Sequence, residues 1–117
     1  MKRILLIDDE SFIHFLYKNI IGDEYDLDCV MDPFEALEKI KTQEYSLILV
    51  DINMPYINGL EIIESTRKKG IFTPIIVVSS YGSGEKKKEA SDKGANDYIE
   101  KPIDTDELKS KIEKWCK

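Results

Sequence analysis

A long apolar run is what this sequence most plainly lacks. Ile4 to Ile7 stops at Asp8-Asp9-Glu10, too short for a signal-peptide core despite the basic Met1-Lys2-Arg3 start. No other segment approaches the length of a membrane span. Cysteine is scarce: Cys29 and Cys116 lie far apart and form no C-x-x-C, so neither a redox motif nor a zinc site is indicated. A cytoplasmic, reduced setting is the expectation. Basic charge is also in deficit, with 17 Lys and Arg against 23 Asp and Glu and a net charge of -6, a poor balance for holding a polyphosphate backbone. Gly82-Ser83-Gly84 lacks the third glycine and the lysine of a phosphate-cradling loop and reads as a joint. Repeats, linkers and low-complexity stretches are missing too.

What remains is 117 residues, 42% hydrophobic, enough for one domain over 1–117 with its own core. Ile4-Leu5-Leu6-Ile7, Leu47-Ile48-Leu49-Val50 and Ile75-Ile76-Val77-Val78 do not alternate and read as parallel strands buried on both faces. Leu27 to Val30 and Asp97 to Glu100 are more polar and suit positions at or near the sheet edges.

Helical spacing fills the intervals: Phe12, Phe15, Leu16 and Ile20; Phe34, Leu37 and Ile40; Leu60, Ile63 and Arg67; Leu108, Ile112 and Trp115. Gly84 to Lys93 is the weakest helix, and its Lys86-Lys87-Lys88 reads as a solvated face. Asp32 and Asp104 each stand three residues before a Glu that can bond back, a capping-box pattern. Gly22, Gly70 and Gly94 follow helices, where a left-handed residue ends them cheaply.

Strict alternation of strand and helix predicts an α/β fold with a parallel sheet, right-handed crossovers and helices on both faces. The order 2-1-3-4-5 sets the first and third strands side by side and opens a crevice at their carboxyl ends. Asp8 and Asp9 follow the first strand, Asp51 closes the third, Ser79 follows the fourth and Lys101 the fifth. All belong at one end of the sheet. Carboxylates crowded there repel by about 4 kcal/mol per pair at 4 Å and an effective dielectric near 20. A hard divalent ion on oxygen ligands relieves this, and a site with few protein ligands points to Mg2+, with Mn2+ tolerated.

These runs, Leu6-Ile7-Asp8-Asp9-Glu10, Val50-Asp51-Ile52-Asn53-Met54-Pro55 with Asn58-Gly59, Val78-Ser79-Ser80 and Tyr98-Ile99-Glu100-Lys101-Pro102, resemble the receiver domain of response regulators in two-component signalling. The resemblance covers essentially the whole chain. It implies a flavodoxin-like doubly wound sheet with five strands and five helices. It implies Asp51 as phosphoacceptor, Asp9, Asp51 and the Asn53 carbonyl as metal ligands, and Asp8 on a metal-bound water. Ser79 and Tyr98 are the implied switch pair, read out on the surface of the fourth helix, fifth strand and fifth helix, and Lys101-Pro102 is the implied cis peptide. A histidine kinase or histidine phosphotransfer protein is the implied donor, and a downstream protein the implied target.

Each residue also has a plainer reading. Taken alone, Asp8-Asp9 also reads as a turn and helix cap, Asp51 as a loop residue, Ser79 as a turn residue, Tyr98 as a strand aromatic and Lys101 as a surface lysine. His14, the single histidine, reads as structural or solvent-facing and not as a phosphodonor. Ser79 stands where the family more often has threonine, Ser80 where it has alanine or glycine, and bulky Tyr81 is expected to slow hydrolysis. A haloacid dehalogenase phosphatase also forms an aspartyl phosphate, but needs a second Asp where Asn53 stands. Two alternatives stay open: a phosphorelay intermediate that passes its group to a downstream histidine, and a receiver cut from a longer regulator, although Trp115-Cys116-Lys117 suits a natural terminus.

Overall fold

The computed structural model describes residues 1–54, 58–80 and 84–116. Along the chain run β1 (Arg3–Ile7), α1 (Ser11–Ile21), β2 (Asp26–Val30), α2 (Pro33–Thr42), β3 (Leu47–Asp51), α3 (Gly59–Lys68), β4 (Ile75–Ser79), α4 (Gly84–Lys93), β5 (Asp97–Glu100) and α5 (Thr105–Trp115). The strands form one parallel sheet in the order β2-β1-β3-β4-β5, as the alternation predicts. Tyr81, Gly82, Ser83 and Pro55, each singled out in the sequence, lie outside the described residues. Among the described residues no helix is long and apolar enough to cross a membrane.

Both faces of the sheet are covered, which is why its central strands carry no polar alternation. Leu5, Ile7, Ile48, Val50, Ile75 and Val77 pack with Ala36, Ile40, Leu60, Ile63 and Ala90 from α2, α3 and α4. Ile4, Leu6, Leu49, Ile76, Val78 and Ile99 point the other way, onto Tyr17 and Ile21 of α1 and Leu108 and Ile112 of α5. The weak helix α4 does form, but buries only Ala90, and ion pairs Lys86–Glu89 and Lys88–Asp92 lie along it.

Three local readings change. In α1 the packed side chains are Ile13, Tyr17, Ile20 and Ile21, while Phe12 and Phe15 are 68% and 64% exposed. That helix is apolar on most of its circumference, so two stripes satisfy the period and only the tertiary fit selects one. Phe34 is likewise exposed, and Pro33, Ala36 and Ile40 face the core. Gly70 and Gly94 have positive φ, but Gly22 is right-handed at φ -63° and keeps α1 wound one residue further.

The caps at Asp32 and Asp104 are made: Asp32 accepts from the Phe34 N–H at 2.9 Å, and Asp104 from Asp106 and Glu107 at 2.8 and 3.2 Å. Glu35 and Glu107 make no return bond among the described residues; Glu107 lies toward Lys111 instead. Asn58 caps α3 in the same way through the Glu61 N–H. Each such cap contributes about 1 kcal/mol.

Candidate functional site

Register alone gathers the predicted residues. Ile7 pairs with Val50, Asp51 with Val78, and Ser79 with Glu100. Asp8, Asp51, Ser79 and Lys101 therefore stand within one residue of a common line across the carboxyl end of the sheet. The Lys101 N–H donates to the Ser79 carbonyl at 2.8 Å, extending the β4–β5 ladder by one bond. The Lys101–Pro102 peptide is cis, as expected.

Side chains then converge. Lys101 Nζ lies 3.4 Å from Asp51 Oδ2 and 3.8 Å from Asp8 Oδ2. Both carboxylates are buried, and the lysine side chain is 18% exposed. The second oxygen of each acid is held by the chain itself: Asp8 Oδ1 accepts from the Glu10 N–H and Asp51 Oδ1 from the Asn53 N–H, both at 2.9 Å. These short-range bonds are the local reason an Asp follows each strand: it turns the chain away from the sheet and keeps its carboxylate inward. The Asn53 side-chain amide donates to Ser79 Oγ at 3.4 Å. Tyr98 is half-buried on β5, with Lys87 Nζ 5.8 Å from its ring centre and Lys111 Nζ donating to its carbonyl at 2.6 Å.

Burial dominates the electrostatics. The Asp8 carboxyl is pushed up to about 6, first by desolvation and further by Asp51 and Asp9, against the lowering effects of the Glu10 N–H and Lys101. One ammonium does not offset the concentration of acid. Asp8, Asp9 and Glu10 each offer a carboxylate oxygen, and these oxygens lie within 4.8 Å of one another. An oxygen-only donor set of that size fits a hard divalent cation, and Asp8's raised value shows what such a charge would relieve.

The expected residues do not all have the same neighbours. Asp8, Asp51 and Lys101 meet directly, and Asn53 and Ser79 join them. Asp9 is exposed at the rim and groups with Asp8 and Glu10, whereas Asp51 is reached through Lys101. Glu10 received no role from the sequence; its signal was adjacency to Asp8-Asp9. His14 Nε2 lies 2.7 Å from the Asp8 carbonyl, a contact with the site that the sequence did not reveal. Tyr17 is buried beneath, and its hydroxyl has no hydrogen-bond partner among the described residues; burial, Asp8 and Asp51 raise its pKa.

Residues 4–113 match the family model of the response regulator receiver domain. The chain therefore belongs to the response regulator receiver family. It is 33% identical to the Francisella response regulator 1452 receiver domain, with a TM-score of 0.93 over 98% of this chain and 96% of that one. It is 38% identical to response regulator TrrA of Thermotoga maritima, solved in complex with Mg(2+)-BeF, with a TM-score of 0.87 over 98% and 99% of the two chains. Response regulator ArlR of Staphylococcus saprophyticus is 38% identical over 113 residues, 96% of this chain and 51% of that protein. The chain spans about half the length of the curated relatives it matches.

Proposed function

We propose that this receiver domain is a phosphoacceptor switch, taking a phosphoryl group onto Asp51 from a histidine kinase or a histidine phosphotransfer protein. The observation that carries the reading is Lys101 standing between the buried carboxylates of Asp51 and Asp8, 3.4 and 3.8 Å away. One bond forms, between an Asp51 oxygen and phosphorus. One breaks, between phosphorus and the donor's imidazole nitrogen, which keeps the electron pair. Lys101 meets the charge of the incoming phosphoryl oxygens.

In this reading Mg2+, with Mn2+ as a substitute, would be held by Asp9, Asp51 and the Asn53 carbonyl, with Asp8 on a metal-bound water. When bound, it supplies positive charge against the crowded acids and the phosphoryl oxygens. The Mg(2+)-BeF complex of TrrA supports the choice. The Ser79 hydroxyl donates to the new phosphoryl oxygens, drawing the end of β4 inward, and Tyr98 fills the space that opens. The output is a population shift on the α4–β5–α5 surface, where a downstream protein docks. Neither nucleic acid nor membrane is a direct partner, the setting is cytoplasmic, and the domain turns over no separate substrate.

The test is intact mass after incubation with a small acyl phosphate and Mg2+. Wild type gains one phosphoryl group and Asp51→Ala does not; equal labelling of both would falsify the assignment. Onward transfer of radiolabel from Asp51 to a histidine on a second protein would make the domain a relay intermediate instead.

A further inference from the structure

We propose that His14 is a positioning residue for the acid site, acting through the peptide that joins Asp8 to Asp9. The inference rests on the reading of that site as a Mg2+ centre. β1 ends at Ile7, and the chain must leave the sheet with two acids in succession aimed at one place. Asp8 is fixed from three sides. Its N–H donates to the Val30 carbonyl at 3.1 Å, its Oδ1 accepts from the Glu10 N–H at 2.9 Å, and its carbonyl faces His14 Nε2 at 2.7 Å.

The third contact is the one that reaches Asp9. A carbonyl carries no proton, so at 2.7 Å the hydrogen belongs to Nε2, in the neutral and the charged ring alike. The carbonyl of Asp8 and the nitrogen of Asp9 share one planar peptide group. Anchoring the oxygen therefore sets the rotation of that plane, and with it the direction in which the Asp9 Cα leaves, the point from which its carboxylate is aimed. Among the described residues the Asp9 side chain makes no hydrogen bond or ion pair, and it is exposed at the rim. No N–H at the start of α1 takes the Asp8 carbonyl either; the Ile13 N–H goes to the Glu10 carbonyl. His14, at the end of the first turn of α1, reaches back to do so.

Two variants separate the hydrogen bond from the bulk of the ring. His14→Phe keeps a ring and loses the donor; His14→Gln loses the ring and keeps an amide N–H of similar reach. Mg2+ affinity is measured on the purified protein by calorimetry with the metal alone, beside each variant's unfolding temperature. Loss of a supporting hydrogen bond behind a metal ligand weakens binding by about ten-fold or more. The expected result is that weakening in His14→Phe, with His14→Gln near wild type. Wild-type affinity in His14→Phe, or weakening in Gln but not Phe, or equal weakening in both, overturns the proposal and leaves His14 as packing. A wild type that binds no Mg2+ overturns the metal centre itself, and this inference with it.

Discussion

Arg67 and Gly94 are joined at the end of the sheet opposite the acids: Arg67 Nε and Nη2 both donate to the Gly94 carbonyl, at 3.1 and 2.9 Å. The same guanidinium reaches the carbonyls of Ile71 and Thr73 and Asn96 Oδ1, at 2.8, 2.8 and 2.9 Å. The fork thereby ties the end of α3 to the start of β4 and to the α4–β5 turn. Gly94, at φ +118°, leaves the space the arginine stem occupies, because a Cβ there would lie 2.6 Å from Arg67 Cγ.

Arg67→Lys keeps the charge and loses the fork, leaving carbonyls unpaired at a half-buried site. It is expected to cost about 2 kcal/mol, and Arg67→Ala about 3 kcal/mol. Gly94→Ala is expected to cost about 2 kcal/mol from the φ and the clash together. Urea unfolding checks this as a lower midpoint with an unchanged slope. Labelling of Asp51 in folded protein is expected to be unaffected, since the clamp is remote from the acids.

The raised Asp8 pKa sets a pH trend opposite to that of most carboxylates. The folded state holds the proton up to about 6, against an ordinary 3.8, so between these values the folded chain binds more protons than the unfolded one. Stability of the metal-free protein therefore falls as pH rises from about 4 to about 6, then levels. Asp8→Asn is expected to flatten this step and weaken Mg2+ binding. Urea midpoints across that range, in chelator and then in excess Mg2+, check it; the metal is expected to raise stability at pH 7.

Tyr17 buries its hydroxyl without a partner among the described residues. A buried polar group left unpaired costs about 1–3 kcal/mol. Tyr17→Phe keeps the ring in the α1 face of the core and is expected to stabilise the fold by about 1 kcal/mol. Thermal or urea unfolding reads the change directly, and a loss of stability would mean that the hydroxyl has a partner in solution.

Lys101→Met removes the cation between Asp8 and Asp51 while keeping the length of the side chain. Loss of one preorganised donor at developing charge lowers the rate of an acyl- or phosphoryl-transfer step by about 100-fold. That is the expected fall in the Asp51 labelling rate, measured by quenched-flow or timed intact mass at saturating Mg2+. Saturation matters because leaving two buried carboxylates facing each other strengthens, not weakens, the demand for the metal.

The sheet and the acid site were legible because their signals are local. Asp8, Asp51, Ser79 and Lys101 each end or follow a strand, and parallel register then brings them to one edge whatever the helices do. Other features depend on partners that leave no mark on the sequence. Arg67 and His14 bind backbone carbonyls, which every residue has, so their roles were invisible until the chain was folded. The packed stripe of α1 was ambiguous because Phe12 and Phe15 are as apolar as Ile13 and Tyr17; fit against β1 and α5 decided it. Gly22 has the residue type of a left-handed cap, yet φ follows hydrogen bonding, and its N–H continues the helix to Lys18.

The most direct test of the account is to locate the phosphoryl bond chemically. Borohydride reduces an acyl phosphate to the alcohol, converting a phosphorylated aspartate to homoserine, which peptide mass spectrometry can place. After treatment with an acyl phosphate and Mg2+, homoserine is expected at position 51 alone and is expected to vanish in chelator. Homoserine at Asp8 or Asp9, or an unmodified chain under saturating Mg2+, would contradict it.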